Sequence, residues 1–314
     1  MTNSHKQKTL VIGGGGYIGQ HLLPLLLTSG REVTVLSRRA TTNLGKLQNV
    51  RYVDGDFGNL SQISSLLDTH GEIIHLAYAT VPNTSYDNPL GDLLENLPVT
   101  VQLFSEIAKR NKKLLLVSSG GTVYGEVENV PIKESQATQP ISPYGLTKLT
   151  IENYARLYSV TKGLKFICVR PANAYGVGQK PFAGQGFVST ALASALMGKT
   201  VKIYGQPGTT RDYIYVSDIA SGILSALEKG VLNETYNIGT AIGLSNFELM
   251  LKANAILEPI GKCAKIEHVA ARKFDVSQNV LDSTKLRDHT GWSPGVDLDE
   301  GLKLTLNWLK LNYS

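Results

Sequence analysis

Only two cysteines, Cys168 and Cys263, occur in the 314 residues, and their separation matches no metal-binding spacing. A disulfide-rich scaffold and a cysteine-clustered zinc site are excluded, no metal is expected, and both thiols are expected to be buried in a reducing compartment. No segment reaches the ~20 consecutive apolar residues of a membrane-spanning helix, so no membrane partner is expected. The opening residues carry no apolar run of the kind that marks a secretory leader, which leads to the expectation of a cytoplasmic address. Concentrated charge is missing too. Lys and Arg number 31 against 26 Asp and Glu, a net charge of +5, and they are scattered, which argues against a nucleic-acid partner. Repeats and low-complexity stretches are absent.

What is present is the profile of a soluble globular chain, 42% hydrophobic and 18% charged. Short apolar runs at 9–12, 32–36, 51–53, 73–76, 113–117 and 165–169 read as buried strands. Stretches with helical spacing lie between them, as at 18–28, 88–109 and 143–161. Strand and helix alternating in this way predict an α/β fold, a Rossmann-type doubly wound parallel sheet. Beyond Arg170 the pattern loosens into glycines and aromatics, then helix-like runs at 187–197 and 298–311, with a capping box at Ser245 and Glu248. The expected division is a dinucleotide-binding domain over 1–170 and a smaller mixed α/β substrate domain over 171–314. Some later elements are expected to return to the first.

The first strand runs into Gly13-Gly14-Gly15-Gly16-Tyr17-Ile18-Gly19 and then a helix. Both GxGxxG (Gly14, Gly16, Gly19) and GxxGxxG (Gly13, Gly16, Gly19) fit. One glycine makes the tight turn, one lets the backbone approach a pyrophosphate, and the third allows helix and strand to pack closely. The helix amino terminus then faces the anion. A glycine turn between a strand and a helix at the head of an alternating chain is the context that dinucleotide binding requires. The second strand ends Ser37-Arg38-Arg39, without the acidic residue that accepts from the ribose hydroxyls of NAD. Ser37 and Arg38 suit a 2′-phosphate, so NAD and NADP both stand open, and the two arginines also read as exposed loop charges. Asp56, followed by Phe57, reads either as an adenine contact or as a turn aspartate.

Tyr144 and Lys148 open a helix after Pro140 and Pro143, four residues apart and therefore on one helical face. A tyrosine with its ordinary pKa of ~10 is a poor base at neutral pH. A lysine cation nearby favours the phenolate and equips Tyr144 to exchange a proton with a hydroxyl. The alternative is an ordinary pair on a helix surface.

Ahead of that helix lies Ser118-Ser119-Gly120-Gly121-Thr122-Val123-Tyr124-Gly125. With this loop, the glycine turn, Gly55-Asp56, His75-Leu76-Ala77, Asn96, Tyr144/Lys148, Arg170-Pro171-Ala172-Asn173, Arg211-Asp212-Tyr213-Ile214 and the 272–275 segment, the chain resembles an extended short-chain dehydrogenase/reductase. Within that group it is similar to the NAD-dependent epimerase/dehydratase family, the UDP-galactose/UDP-glucose 4-epimerases above all. The resemblance implies Tyr144 as acid/base at a sugar C4 hydroxyl, and Lys148 on the nicotinamide ribose. Gly13, Gly16, Tyr17, Ile18, Gly19, Ser37, Arg38, Asp56, Phe57, Ala77 and Asn96 would hold the dinucleotide. Asn173, Arg211 and Arg272 would hold a nucleotide-sugar substrate, the two arginines clamping its diphosphate. A homodimer through the helices at 88–109 and 143–161 is implied as well. Asn279 falls in a stretch that lines the sugar pocket of similar enzymes.

One departure stands out. Many such epimerases carry a catalytic Ser or Thr where this chain has Gly120. Thr122 is the first choice to replace that hydroxyl and Ser119 the second. Related 4,6-dehydratases use an Asp-Glu pair at the positions of Gly121 and Thr122, which argues against dehydration here. Two redox readings follow. One is a 4-epimerase that recycles its cofactor, and the other a 4-ketoreductase that consumes NADPH or NADH; the epimerase is preferred. A non-catalytic, cofactor-sensing protein is the reading from another class, and the intact Tyr144/Lys148 pair argues against it.

Overall fold

A computed structural model of the chain describes residues 6–38, 47–272 and 275–313. Its first half alternates β1 (Lys8–Ile12), α1 (Tyr17–Thr28), β2 (Glu32–Ser37), β3 (Val50–Asp54), α2 (Leu60–Thr69), β4 (Glu72–His75), α3 (Pro82–Asp87) and α4 (Pro89–Lys109). Then come β5 (Lys113–Val117), the single turn α5 (Gly120–Val123), α6 (Pro143–Lys162), β6 (Lys165–Pro171) and β7 (Asn173–Tyr175). The rest comprises α7 (Phe187–Leu196), β8 (Thr200–Tyr204), β9 (Thr210–Tyr215), α8 (Val216–Lys229), β10 (Thr235–Ile238), β11 (Gly243–Ser245) and α9 (Asn246–Leu257). It closes with β12 (Lys265–Val269), β13 (Gln278–Asn279), α10 (Thr284–Thr290) and α11 (Leu298–Tyr313). The 88–109 stretch expected as one helix starts at Pro89, because Asn88 caps it by accepting from the Gly91 amide at 2.9 Å.

Seven strands form a parallel sheet in the order β10-β6-β5-β4-β1-β2-β3. This is a Rossmann-type doubly wound fold, and the order reverses between β1 and β4, where the carboxyl ends of the strands open a crevice. The apolar runs are continuous because both faces are covered. Alternate residues divide cleanly between the two faces. Val11, Val35, Ile74, Leu115 and Ile167 pack with Leu22, Leu23 and Leu26 of α1 and Ile219 and Ile223 of α8. Leu10, Leu36, Ile73, Leu114 and Phe166 pack with Ile63 and Leu67 of α2, Leu103 and Phe104 of α4, and Ile151 of α6.

Three segments from beyond residue 170 complete this layer: β10 at the sheet edge, α8 beside α1, and α10 against β10 and α8. The remaining elements make a second body. A small sheet of β11, β9, β13 and β7 and the parallel pair β8–β12 enclose a core that includes Val188, Leu192, Leu249, Met250, Leu302 and Leu306. The expectation for the thiols needs one correction. Cys168 is buried inside β6, but Cys263 is exposed, because it sits in the turn after Gly261 at the outer end of α9. Among the described residues no helix is long and apolar enough to cross a membrane, and no group of three or more His, Cys, Asp or Glu side chains is placed to hold a metal ion.

Candidate active site

The glycine turn closes the carboxyl end of β1 over the crevice. Gly13 has φ +82°, and a Cβ there would lie 2.6 Å from the Ala77 nitrogen. A Cβ on Gly19 would lie 2.2 Å from the Gly14 carbonyl oxygen, so α1 and the turn approach as closely as they do only without side chains. Gly16 caps α1 with no side chain of its own, which leaves the positive end of a 12-residue helix facing the groove. This bare backbone cradle fits a dinucleotide pyrophosphate.

On one side of the cradle, Ser37, Arg38, Asp56, Phe57 and Ala77 line a cavity of about 880 Å³ together with Gly13 and Gly16. Asp56 also accepts from the Gly58 amide at 2.8 Å, which makes it both a turn residue and a lining residue. Arg39 lies outside the described residues. Asn96, expected against the cofactor, is placed behind the cavity instead. Its Oδ1 accepts from the Ala79 amide at 2.8 Å and its Nδ2 donates to the Asp92 carbonyl at 2.7 Å, so both ends of the amide are used within the protein.

On the other side lies a cavity of about 520 Å³ lined by Gly13, Gly16, Tyr17, Ile18 and Gly19 and by Tyr78, Ser119, Thr122, Tyr144, Lys148, Asn173 and Arg211. Helix α6 delivers its residues because Ser142 caps it, accepting from the Gly145 amide at 3.0 Å, with Pro143 in the first turn. The i, i+4 row Tyr144, Lys148, Glu152 then faces the sheet. Glu152 fixes that row. It takes two hydrogen bonds from the buried Arg170 guanidinium, at 2.6 and 3.1 Å, and a third from the Ser118 hydroxyl at the end of β5. Arg170 also donates to the Tyr124 hydroxyl at 2.8 Å.

Lys148 Nζ donates to the Val117 carbonyl at 3.0 Å and stands 5.7 Å from the Tyr144 ring centroid. Burial pulls its pKa down to about 8, and Cys168, Glu152 and Asp92 act against that fall. For Tyr144, burial and the Asp92 carboxylate raise the pKa above the ordinary tyrosine value, while a hydrogen bond with Ser119 lowers it. His75, at the floor of the crevice, packs edge-on to Phe57 at 5.0 Å, and burial with the neighbouring Lys148 charge brings it to about 3, so it is neutral.

The question raised by Gly120 has a geometric answer. A Cβ at Gly120 would point away from the cavity, 2.4 Å from Leu281 Cδ1 and 2.9 Å from the Arg170 carbonyl oxygen. Ser119 is the loop hydroxyl on Tyr144. Thr122, the first choice from the sequence, lines the cavity with a buried Oγ1 that has no partner.

Arg211 and Arg272 do not share one cavity. Arg211 donates to the Thr210 carbonyl at 2.8 Å, and the nearest opposing charges, Asp275 and Glu126, act on it only at longer range. Arg272 lines an adjoining cavity of about 640 Å³, its guanidinium stacked 3.5 Å from the Tyr204 ring centroid. Thr209, Asn246, Phe187 and Gln185 line both cavities, so the two arginines flank a continuous trough. Residues 273 and 274 of the expected 272–275 segment lie outside the described residues. Asn279 is not in the lining. It is buried under the loop, donating to the Gly120 carbonyl at 3.0 Å, because β13 runs beneath α5. Asp212 likewise serves the fold, accepting from the Thr240, Ala241 and Leu281 amides.

Tyr213, quoted from the sequence only as part of the 211–214 run, brings to the lining a buried hydroxyl that has no partner. Two lining residues were not singled out from the sequence: Tyr78, whose hydroxyl reaches Asp92, and Gln179, which bonds Ser189 at 3.0 Å. A lone tyrosine or glutamine in a loop carries no periodic signal that would have marked it.

Comparison with known proteins places the chain in a family. Residues 9–239 match the model of the NAD dependent epimerase/dehydratase family. A UDP-glucose 4-epimerase from Mycolicibacterium smegmatis is 32% identical over 96% of this chain and 98% of its own. The solved UDP-glucose 4-epimerase of Thermotoga maritima with UDP-glucose is 31% identical, with a TM-score of 0.90 over 98% of this chain and all of the other. That of Thermus thermophilus, a complex with NAD, is 30% identical, with a TM-score of 0.87 over 97% and 99%. The chain belongs to the NAD-dependent epimerase/dehydratase family and is an enzyme of that family.

Proposed function

We propose that this enzyme is a nucleotide-sugar 4-epimerase acting on a UDP-sugar. The observation that carries the reading is the placement of Tyr144. Its ring lines the trough between the dinucleotide cradle and Arg211, bonded to Ser119, with the Lys148 ammonium 5.7 Å away.

In this reading the backbone of Gly13, Gly16 and Gly19 and the start of α1 hold the pyrophosphate of NAD or NADP. When bound, that cofactor supplies a hydride acceptor and then a hydride donor at its nicotinamide ring. Tyr144 removes the proton of the sugar C4 hydroxyl as C4 is oxidised and returns it after the keto sugar has turned its other face. Buried, it begins as a neutral phenol, so it needs positive charge close by to act as a base, and Lys148 is the chain's own source. Ser119 orients the same hydroxyl. Asn173, Arg211 and Arg272 hold the nucleotide diphosphate and sugar along the trough, which leaves C4 to be placed by fixed groups. Exposed leucines on the two helices expected to form the interface, Leu90 of α4 and Leu146 and Leu157 of α6, support a homodimer.

A 4-ketoreductase is the second reading, favoured by Ser37 and Arg38 in the adenosine-side cavity, where no acid stands at the end of β2 to disfavour a 2′-phosphate. One experiment separates the two. The purified protein is denatured and its released nucleotide identified, and a second portion is incubated with UDP-glucose and no added cofactor. Bound NAD and appearance of UDP-galactose, both surviving dilution, support the epimerase. An empty protein that consumes one NADPH per 4-keto sugar overturns it.

A further inference from the structure

Asp92 is fully buried in the first turn of α4, yet no described cation forms an ion pair with it. Its carboxylate accepts from the Thr80 hydroxyl and from the Tyr78 hydroxyl, 3.3 Å from each oxygen. Tyr78 projects from the loop after β4 to the place where the two cavities meet, and it lines both. Its ring meets the Tyr144 ring edge-on at 4.9 Å, and the Lys148 ammonium lies over its face, 4.1 Å from the centroid. That is well inside the range over which an aromatic face attracts a cation, and closer than the same ammonium lies to Tyr144.

We propose that Tyr78 and Asp92 are positioning residues for Lys148: the ring is a platform that holds the ammonium beside Tyr144, and the carboxylate tethers the ring and supplies the negative charge behind it. The inference deepens the reading of Lys148 as the cofactor- and tyrosine-binding cation, and rests on it. The other groups that face Lys148 do not take this role. Glu152, one turn along α6, is spent on Arg170. Cys168 on β6 is a buried thiol pushed well up, and His75 on β4 is neutral. Tyr144 is a neutral phenol. Asp92 is therefore the negative charge near Lys148 that is not neutralised by a partner of its own. Without it and the ring, a buried ammonium keeps its bond to the Val117 carbonyl but loses support against desolvation, and gives up its proton at lower pH.

The test reads cofactor binding, so it does not depend on which sugar is turned over. NADH affinity is measured by fluorescence from pH 6 to 10 for the wild type and for Asp92→Asn, Tyr78→Leu, Tyr78→Phe and Lys148→Met. In the wild type, affinity falls as Lys148 deprotonates. In Asp92→Asn and Tyr78→Leu that fall is expected about one pH unit lower, so that affinity above both midpoints is about tenfold weaker. Tyr78→Phe keeps the platform and loses only the tether, and lies between. Lys148→Met is expected to flatten the profile. If Asp92→Asn and Tyr78→Leu, folded by circular dichroism, superimpose on the wild type, or if Lys148→Met keeps the pH dependence, the proposal is overturned. Should the Asp92 variant fail to fold, the Tyr78 pair decides alone. A wild type that binds NADH with this profile but epimerises no UDP-sugar would sink the proposed function and leave this inference standing.

Discussion

Arg170 and Glu152 form an ion pair that is almost wholly buried, with side-chain exposures of 2% and 1% and an N–O distance of 2.6 Å. It joins β6 to α6 one turn beyond Lys148, and through Ser118 it reaches the loop that carries Ser119. The helix that carries Tyr144 and Lys148 and the loop that carries Ser119 are thus referred to one carboxylate. Burial alone works against the guanidinium, but the carboxylate more than offsets it and raises the Arg170 pKa.

Glu152→Gln is expected to destabilise the protein by about 3–5 kcal/mol, because it strands a buried guanidinium. Denaturant unfolding of the purified variant measures this. The double variant Glu152→Leu/Arg170→Met is expected to lose less than Glu152→Gln, since no charge is left unpaired. A double variant that is worse would show that the pair stabilises the fold beyond neutralising itself.

Restoring a hydroxyl at position 120 is expected to harm the enzyme. The Gly120→Ser side chain would enter the packing of Leu281 and the Arg170 carbonyl, where strain costs about 1–3 kcal/mol. A lower melting temperature with no gain in turnover is the expected result. An increase in kcat would mean that the loop turns over in solution and presents this position to the substrate.

Ser119→Ala is expected to lower kcat by about 100-fold with little effect on KM, the cost of removing one aimed donor at the reacting oxygen. Thr122→Val changes a hydroxyl that does not touch Tyr144, so kcat is expected to stay close to that of the wild type. Steady-state kinetics on both variants decides between the two hydroxyls. The reverse ranking would give the role to Thr122.

Much of this architecture can be read along the chain because its signals are local. Parallel strands covered on both faces must be apolar throughout, so 9–12 and 113–117 stand out without any alignment. Gly13 to Gly19 and the Tyr144–Lys148 spacing are equally local, since each is a short backbone requirement. What was not legible depends on distant residues. The direction of position 120 is decided by Leu281 and by the carbonyls of Arg170 and Pro171, and Asn279 is drawn under the same loop from the far end of the chain. The pairing of Tyr78 with Asp92 crosses from a loop to a helix. Arg211 and Arg272 separate into neighbouring cavities because Arg211 lies on β9 while Arg272 follows β12, which belongs to a different small sheet. No spacing rule contains that information.

The buried ionisable groups also set how stability depends on pH in the cofactor-free protein. Lys148 titrates at about 8 in the folded state and at 10.5 when exposed. Between those values the unfolded chain holds a proton that the folded protein has lost, so stability rises with pH by up to about 1.4 kcal/mol per pH unit from this group. Lys113, lowered by burial, acts in the same sense. The buried tyrosines oppose it. Tyr144, Tyr213 and Tyr78 have folded pKa values raised above 10.0, so their contribution is present below that value and is lost at higher pH. On the acid side, His75 titrates at 6.5 unfolded and at about 3 folded, so stability falls as pH drops below 6.5. Urea midpoints for the cofactor-free protein are therefore expected to climb between pH 8 and 9.5 and to turn over above 10. Lys148→Met should remove most of the climb and, because the Lys148 charge helps to lower the His75 pKa, should also soften the acid limb. A wild-type midpoint that is flat across pH 8 to 9.5 would mean that Lys148 keeps an ordinary pKa in the fold, and would also remove the basis for assigning it the alkaline limb of cofactor binding.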